Sequence, residues 1–284
     1  VIFSYFIVIY RIVQLYEVLI AMSFQNQFTK TTTDANLMET VHHGSAEYPF
    51  RYYYENIALF DFKCIDWHWH SELEFIYIES GNVVFDIGTV HFELNEGNGI
   101  MINSKILHRL QSSSDAIIPN FLFQPSFIAP QDSLIYKKYI NPVISSSLEY
   151  LVFQPDIPWQ KKALEIIKTI IAVQETEFNR EIIVSMSVQQ LWILLLENLT
   201  FDQFENMGAV ISRTRLQLMM QYVHAHYSEN ITLEDIARTA NISKSTALHL
   251  FQNNLKLTPV KYLINYRLTQ AALLLINTEE KIAT

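Results

Sequence analysis

The hydrophobic positions of residues 48–158 predict a domain built from short strands. Apolar runs rich in β-branched and aromatic side chains lie at residues 75–78, 83–87 and 99–102. Such runs are typical of strands. Polar and glycine-containing segments separate them, and the segment at residues 79–82 predicts a hairpin turn. Many short strands at close spacing indicate an antiparallel sandwich or barrel of the jelly-roll kind.

Residues 159–206 change to a helical period and predict two antiparallel helices. Only a short polar break, residues 176–180, separates the two apolar stretches. The second helix, from Ile182 to Leu199, has more apolar surface than one partner helix would cover. We therefore expect it to form part of a two-fold dimer interface, with Trp192 or a neighbouring leucine at its centre. Packing only against the barrel stays open as the alternative.

Residues 212–284 predict a small helical domain. Thr232 and Asp235 form a capping box at the start of one helix, and Ser243 caps the next helix after a tight turn. Thr258, followed by proline, begins a longer amphipathic helix. Two short helices joined by a tight turn are typical of a helix-turn-helix, whose second helix enters the major groove of DNA. Spacing alone does not separate this motif from other small helical bundles.

Residues 1–21 form an apolar extension that is long enough to span a membrane. However, Arg11 and Glu17 would each cost about 2.5–3.5 kcal/mol within the bilayer. We therefore expect translation from upstream of a start at Met22, and no membrane partner. A loosely attached helix and a membrane anchor are the alternatives.

The rest of the segment 1–47 is polar. Residues 23–46 lack any hydrophobic period, which is typical of a mobile arm. His42 and His43 lie within this arm, so we expect both to be solvated.

Charge is divided unevenly along the chain. Residues 1–211 contain 12 Lys and Arg against 24 Asp and Glu, whereas residues 212–284 contain 8 against 5. An acidic body with a mildly basic tail indicates two domains with different partners. The 284 residues include only one Cys, which excludes a disulfide framework and favours a cytoplasmic location.

The carboxyl-terminal motifs resemble, in order and spacing, the DNA-binding domain of AraC-type transcription regulators. The shared pieces are Thr-Leu-x-x-Ile-Ala from residue 232, Leu-Phe at residues 250–251 and Thr-Pro-x-x-Tyr-Leu from residue 258. The resemblance makes Arg267 a candidate for contact with the DNA backbone, although a structural ion pair explains this residue equally well. It also implies DNA contacts from four residues of the recognition helix: Lys244, Ser245, Leu248 and His249.

Two positions depart from the family pattern. Lys256 stands where family members usually have Gly, so a positive φ there would cost about 1 kcal/mol. Thr278 resembles the cap of a second helix-turn-helix, but the sequence stops at Thr284. The resemblance therefore implies a truncated domain with one reading head, and DNA binding near the non-specific range of about 10⁻⁴–10⁻⁶ M.

The strand-rich part resembles the cupin sensor domain of the same family. His68, His70, Glu74 and Gly81 fit the cupin pattern His-x-His-x3-Glu-x6-Gly, and His108 fits a second motif that is otherwise degraded. In metal-dependent cupins the positions of the three histidines and the glutamate bind a divalent ion, whereas sensor cupins generally bind a small ligand or none. We expect these four residues to line an effector pocket for a small polar molecule, such as a sugar, without a metal or other cofactor. A metal site stays open as the alternative.

Together these features predict an α+β chain with a cupin-like β-barrel (jelly roll), a helical hairpin and an incomplete all-α helix-turn-helix domain. The predicted function is that of a non-enzymatic transcription regulator that responds to a small effector, forms a homodimer and binds promoter or operator DNA. The alternative is a metal-dependent cupin enzyme of the isomerase or dioxygenase type. The intact first cupin motif favours the enzyme, whereas the degraded second motif and the DNA-binding tail argue against it.

Overall fold

A computed structural model describes residues 31–34, 37–88, 90–176, 178–199, 207–255 and 257–277. Within these ranges, two sheets are followed by a pair of helices and a four-helix domain. The strands are β1 (Phe50–Asn56), β2 (Cys64–His68), β3 (Leu73–Tyr77), β4 (Asn82–Ile87), β5 (Val90–Asn95), β6 (Gly99–Ile102), β7 (His108–Gln111), β8 (Ile117–Phe123) and β9 (Tyr150–Phe153).

All of the α-helices that the structure describes lie after β8 in the chain. The α-helices are α1 (Asn141–Ile144), α2 (Pro158–Ala172), α3 (Arg180–Asn198), α4 (Met207–His226), α5 (Leu233–Thr239), α6 (Lys244–Leu255) and α7 (Pro259–Asn277). Short 3-10 turns lie at Ile57–Leu59, Asp61–Lys63, Pro125–Phe127 and Val173–Glu175, and a π-helical turn lies at Tyr136–Ile140.

The two sheets form the predicted jelly-roll sandwich. One sheet contains five strands in the order β1-β8-β3-β6-β9, and the other contains four in the order β2-β7-β4-β5. Neighbouring strands are antiparallel in both sheets. Ile76, Phe85 and Ile100 are fully buried in the core between the sheets. This architecture confirms the expected α+β class with an amino-terminal cupin-like barrel.

The pair α2 and α3 covers the outer face of the five-stranded sheet. Strand β3 is therefore buried on both faces: Ile76 belongs to the core between the sheets, and Phe75 packs in the core shared with the two helices. Trp192 of α3 belongs to the same core and is 4% exposed. Its own chain therefore covers Trp192, which argues against this residue at the centre of a dimer interface, whereas the dimer interface itself stays a prediction.

Part of the polar arm lies against the barrel. Leu37 is 1% exposed, its carbonyl accepts a hydrogen bond from Trp69 N, and Glu39 N donates to Trp69 O at 2.9 Å. His43 is buried, with Nδ1 2.9 Å from the hydroxyl of Tyr53. The expectations of a mobile arm and of a solvated His43 are thus wrong for these residues, because partners distant in sequence hold them.

The helix-turn-helix forms with the predicted caps. Asp235 N donates to Thr232 Oγ1 at 3.3 Å, while Thr232 N donates to the Asp235 carboxylate at 2.9 Å. Asn241 adopts a left-handed conformation in the turn, with φ of 52°. Thr246 N then donates to Ser243 Oγ at 3.2 Å, which caps the start of α6. The core of this domain includes Met219, Met220, Ala237 and Phe251.

Several sequence-based expectations concern residues outside the described ranges. These are the extension at residues 1–21 with the start at Met22, the conformation of Lys256, and the cap at Thr278 that resembles the start of a second helix-turn-helix unit. Among the helices that the structure describes, none combines the length and the hydropathy needed to cross a membrane.

Candidate functional site: a buried histidine–glutamate cluster and an exposed recognition helix

Three strands bring His68, His70, Glu74 and His108 together inside the barrel. His68 ends β2 and pairs across the sheet with His108, which begins β7. Glu74 lies on β3, and His70 lies in the connection between β2 and β3. All four side chains are buried, and one candidate ligand atom from each lies within 4.8 Å of the others. We define these four residues as the histidine–glutamate cluster.

Backbone carbonyl groups fix the orientation of the three imidazole rings. Nδ1 of His68 is 2.7 Å from Asp66 O, and Nδ1 of His108 is 2.8 Å from Ile106 O. Nδ1 of His70 is 3.3 Å from Glu72 O. Because a carbonyl oxygen only accepts, each Nδ1 is assigned as the donor, which leaves Nε2 of each ring directed toward the cluster.

Burial and mutual contacts determine the protonation of the cluster. Burial alone would raise the pKa of Glu74, but its close contacts and charge interactions with His108 and His70 hold it well below its usual value. Burial opposes a charge on His70, yet Glu74, 3.3 Å from its Nε2, raises the pKa of this imidazole. Burial and the neighbouring His108 lower the pKa of His68 to about 3. The cluster therefore contains a carboxylate, and His68 is neutral at physiological pH.

The donor set fits a divalent metal ion. Three imidazole nitrogens and one carboxylate suit Fe, Mn, Ni or Zn. Nε2 of His108 lies 3.2 Å from Glu74 Oε2, yet this buried atom makes no hydrogen bond among the described residues. The carbonyl groups that accept from Nδ1 act as the outer partners that metal-binding histidines usually have. The four residues therefore fit the metal site that the sequence leaves open.

A small cavity of about 40 Å³ adjoins the cluster. One water molecule needs roughly 10–15 Å³ on this measure, so the space suits a few waters or a compact ligand. Sites for drug-sized molecules are larger, at about 300–1,000 Å³. The cavity as described is therefore too small for a sugar.

Sequence reasoning missed the polar wall opposite the cluster. Tyr53 and Glu55 of β1, Asn120 of β8, and Glu39 and His43 of the arm line this wall. Asn120 Nδ2 donates to Glu55 at 2.7 Å, while burial and Glu74 raise the pKa of Glu55 to about 8. The two-residue spacing of Tyr53 and Glu55 was an available signal, because side chains two apart share one face of a strand. No comparable signal identifies Glu39 or His43.

Helix α6 presents three of the predicted DNA-contacting residues to solvent. Lys244, Ser245 and His249 are exposed and Leu248 is half-buried. The Lys244 ammonium lies 3.3 Å from the Glu234 carboxylate, which is an exposed pair of little strength. The opposite face of the helix packs inward through Ala247, Leu250 and Phe251.

Arg267 has partners within its own domain. Its Nε donates to the carbonyl oxygen of Tyr227 at 2.7 Å, and a terminal nitrogen donates to that of Glu229 at 2.6 Å. These carbonyl groups lie just after the last turn of α4, so the guanidinium joins α7 to the end of that helix. A structural role is thus observed, although through backbone carbonyl groups rather than an ion pair. Contact with DNA stays a prediction.

Comparisons with known proteins agree with this architecture. The model of the AraC-like ligand binding domain matches residues 60–130. The chain is 32% identical over 256 residues to the HTH-type transcriptional regulator YdeC of Bacillus subtilis, covering 88% of this chain and 86% of that protein. It is 25% identical over 167 residues to the lactose operon transcription activator of Staphylococcus xylosus, covering 57% and 59%.

Structural similarity to known crystal structures is distant. The structure of ToxT from Vibrio cholerae aligns with a TM-score of 0.33 and 14% identity, over 76% of this chain and 98% of that one, and adds nothing to the assignment. The relatives named in the sequence comparison are transcription regulators, which argues against the cupin-enzyme alternative. On the similarity to YdeC and the ligand-binding match, the chain belongs to the AraC-type transcription regulators and is an effector-responsive DNA-binding protein rather than an enzyme.

Proposed function

We propose that this regulator senses its effector at the histidine–glutamate cluster. The observation that carries the proposal is the convergence of three oriented imidazoles and a carboxylate on one point in the interior of the barrel. Buried polar groups are costly unless they have partners, so such a cluster favours a ligand that provides them. The adjoining 40 Å³ limits this ligand to a compact polar molecule.

A divalent metal ion is a second candidate for the cluster. The orphaned Nε2 of His108 favours it, because a metal ion would give this buried atom a partner. The ion would be held by Nε2 of the three histidines and by Glu74. It would supply a positive charge and an open coordination position for a small polar ligand.

The proposed DNA-reading surface is the amino-terminal part of α6. Lys244 has the reach and charge to donate to guanine acceptors, Ser245 suits either base type, and Leu248 suits a thymine methyl group. His249 lies one residue further along the helix. Its Nε2 is 2.8 Å from Asn253 Nδ2, which favours a defined ring position. Because a DNA-binding regulator must have access to the chromosome, we propose that this protein is located in the cytoplasm.

The proposed dimer surface is an apolar stripe on α3. Ile182, Met186 and Ile193 are 59%, 65% and 57% exposed, and their spacing puts them on one helical face. A second copy of the chain would cover this stripe in a two-fold arrangement. The side of α3 that contains Trp192 packs instead on the barrel.

We also propose that the signal to which this regulator responds is a sugar, without assigning the sugar to the cavity beside the cluster. The relative from Staphylococcus xylosus is called a lactose operon activator, which supports a sugar as the signal. The cavity beside the cluster does not accommodate one in the described conformation. A sugar would therefore need either an opening of the barrel or a different site.

The experiment for the cluster is metal analysis combined with ligand titration. The purified chain, His68→Gln and His108→Gln would be titrated with Zn²⁺ and Mn²⁺ by calorimetry, with exposed His91→Gln as the control. Binding by the parent chain and His91→Gln, but not by the two cluster variants, supports a metal. If none of the four proteins binds either metal, a compact organic ligand is the better explanation of the cluster.

A further inference from the structure

The chain around the end of β2 alternates between the interior of the barrel and the DNA-binding domain. His68 and His70 are buried in the histidine–glutamate cluster. Trp67 and Trp69 are half-buried and pack against the core of the helix-turn-helix domain. Successive side chains of an extended chain point in opposite directions, so the two histidines and the two tryptophans lie back to back on one stretch of backbone.

Strand β7 repeats this arrangement. His108, its first residue, belongs to the cluster. Leu107 is 5% exposed and belongs to the same buried core as Met219 and Val223 of α4. Each histidine of the cluster therefore directly follows a residue that packs on the helix-turn-helix domain.

The fourth member of the cluster has different neighbours. Leu73 and Phe75, on either side of Glu74, are buried in the core that the five-stranded sheet shares with α2 and α3. Contact with the helix-turn-helix domain is thus a property of the three histidines, whereas Glu74 connects the cluster to the helical pair.

Hydrogen bonds join the imidazole rings to the backbone that carries these contacts. Nδ1 of His68 is 2.7 Å from Asp66 O, and Nδ1 of His108 is 2.8 Å from Ile106 O. Each of these carbonyl groups belongs to the peptide unit that leads into the residue before the histidine, which is the residue that packs on the helix-turn-helix domain. A shift or rotation of either ring therefore acts directly on the backbone at that contact.

The amino-terminal arm contributes to the same surface. Trp69 N donates to Leu37 O at 3.0 Å, and Glu39 N donates to Trp69 O at 2.9 Å. Leu37 is itself buried in the core of the helix-turn-helix domain. A displacement of Trp69 would therefore move Leu37 as well, and both contacts with the DNA-binding domain would change together.

The described arrangement already brings one ligand atom from each cluster residue within 4.8 Å of the others. A ligand that binds these atoms therefore favours this arrangement over any in which the rings are displaced. We propose that occupation of the cluster by a metal ion or compact ligand holds the helix-turn-helix domain on the barrel, through the backbone that the histidines share with Trp67, Trp69 and Leu107. The coupling rests on the proposed function in that it needs a ligand at the cluster. By linkage, docking of the domain tightens ligand binding by the same factor.

Hydrogen exchange of the full chain, read by mass spectrometry on peptides from α4 and α7, tests the coupling. Zn²⁺ is the probe, and chelator-treated protein is the reference. We expect saturating Zn²⁺ to slow exchange in these peptides by about threefold or more, because a domain that is held on the barrel opens less often. In Trp69→Leu this slowing should be lost. Trp159→Leu, which replaces a half-buried tryptophan of α2, is the matched control and should retain it.

Two histidine variants test the coupling without any ligand. Metal-free His68→Gln and His108→Gln should each exchange about threefold or more faster in α4 and α7 than the metal-free parent, because the ring that orders the preceding peptide units is lost. Asn120→Ala is the control. Asn120 is 1% exposed and lines the same cavity, but its neighbour Phe121 belongs to the core shared with α2 and α3, so exchange in α4 and α7 should stay at the parent rate. Protection of α2 verifies that every variant is folded.

Three results would overturn the coupling. The first is Zn²⁺ that binds the parent chain by calorimetry yet leaves exchange in α4 and α7 unchanged. The second is parent-like exchange in these helices of both histidine variants. The third is equal acceleration in Asn120→Ala, since it would indicate a general loosening of the barrel. If Zn²⁺ does not bind the parent chain, the metal candidate of the proposed function fails, and the histidine variants alone decide the coupling.

Discussion

The indole Nε1 of Trp192 donates a hydrogen bond of 3.1 Å to the carbonyl oxygen of Tyr139. This bond and the surrounding apolar core fix the rotation of α3 on the barrel. The next residue, Ile193, therefore points to solvent, together with Ile182 and Met186 one or more turns earlier. Because the Trp192 side of α3 packs on the barrel, only the side with Ile182, Met186 and Ile193 is available to a second copy of the chain.

Changing Ile193 to Glu should weaken dimerisation of the chain. The substitution would place a carboxylate at one end of the apolar stripe that we propose as the two-fold interface, where burying an unpaired charge is costly. We expect the dimer dissociation constant to rise at least tenfold by sedimentation equilibrium. Glu165→Lys, an equally exposed charge change on α2, should leave the constant unchanged. A parent chain that is monomeric at tens of micromolar would refute the dimer proposal.

Changing Arg267 to Ala should destabilise the DNA-binding domain. The guanidinium donates two hydrogen bonds to the carbonyl groups that follow α4, and the variant would leave these oxygens to water. We expect a loss of about 1–3 kcal/mol in the free energy of unfolding, measured with urea. Arg267→Lys should recover part of this loss. If Arg267→Ala unfolds like the parent chain but binds DNA more weakly, the residue acts on the DNA backbone instead.

His224 should make stability depend on pH in the acid range. Burial lowers the pKa of its imidazole to about 4, and Asp66 only partly opposes this shift. Between about pH 6.5 and pH 4 the unfolded chain therefore binds a proton that the folded chain does not. The free energy of unfolding should fall by up to about 3 kcal/mol as the pH is lowered through this window.

The control for this effect is a pair of histidine variants. His224→Gln should flatten the pH dependence of the urea midpoint between pH 6.5 and 4, whereas His42→Gln, at an exposed position of the arm, should not. The buried His68 contributes to the same slope, so part of the dependence should remain. An unchanged slope in His224→Gln would contradict the assignment of a neutral, buried imidazole.

Metal binding at the cluster should release protons. Glu74 raises the pKa of His70, and a divalent ion on its Nε2 would displace the proton there. The apparent enthalpy of Zn²⁺ binding should therefore change with the ionisation enthalpy of the buffer. We expect this dependence in the parent chain and in His91→Gln. Equal enthalpies in phosphate-free buffers of different ionisation enthalpy would argue against displacement of a proton.

Local sequence patterns predict the helices and strands of this protein, whereas they do not predict its contacts between residues far apart in the chain. The capping box of Thr232 and Asp235 and the cap by Ser243 involve neighbours three residues apart, so the sequence indicates them directly. The resemblance to the cupin motif, carried by the spacing of His68, His70 and Glu74, likewise indicates the cluster from neighbours in sequence. The burial of Trp192 depends instead on Tyr139, which is 53 residues away.

The arm illustrates the same limit. Glu39 and His43 lie in a polar stretch with no period, and nothing in their neighbourhood indicates that Trp69 and Tyr53 would hold them. The contact between the barrel and the helix-turn-helix domain likewise joins residues far apart in the chain, Leu107 and Met219 among them. Such contacts arise from the packing of domains, which hydrophobic periodicity does not report.

The exposed start of α6 is the proposed DNA-reading surface. Fluorescence anisotropy with a labelled duplex from the region upstream of the chain's own coding sequence, and with a scrambled duplex, tests it most directly. The parent chain should prefer the upstream duplex. Ser245→Glu should weaken this binding at least tenfold, because it brings a carboxylate against the bases and phosphates, whereas Thr169→Glu on the distant α2 should have no effect. Equal binding by the parent chain and Ser245→Glu would show that the start of α6 does not contact the DNA.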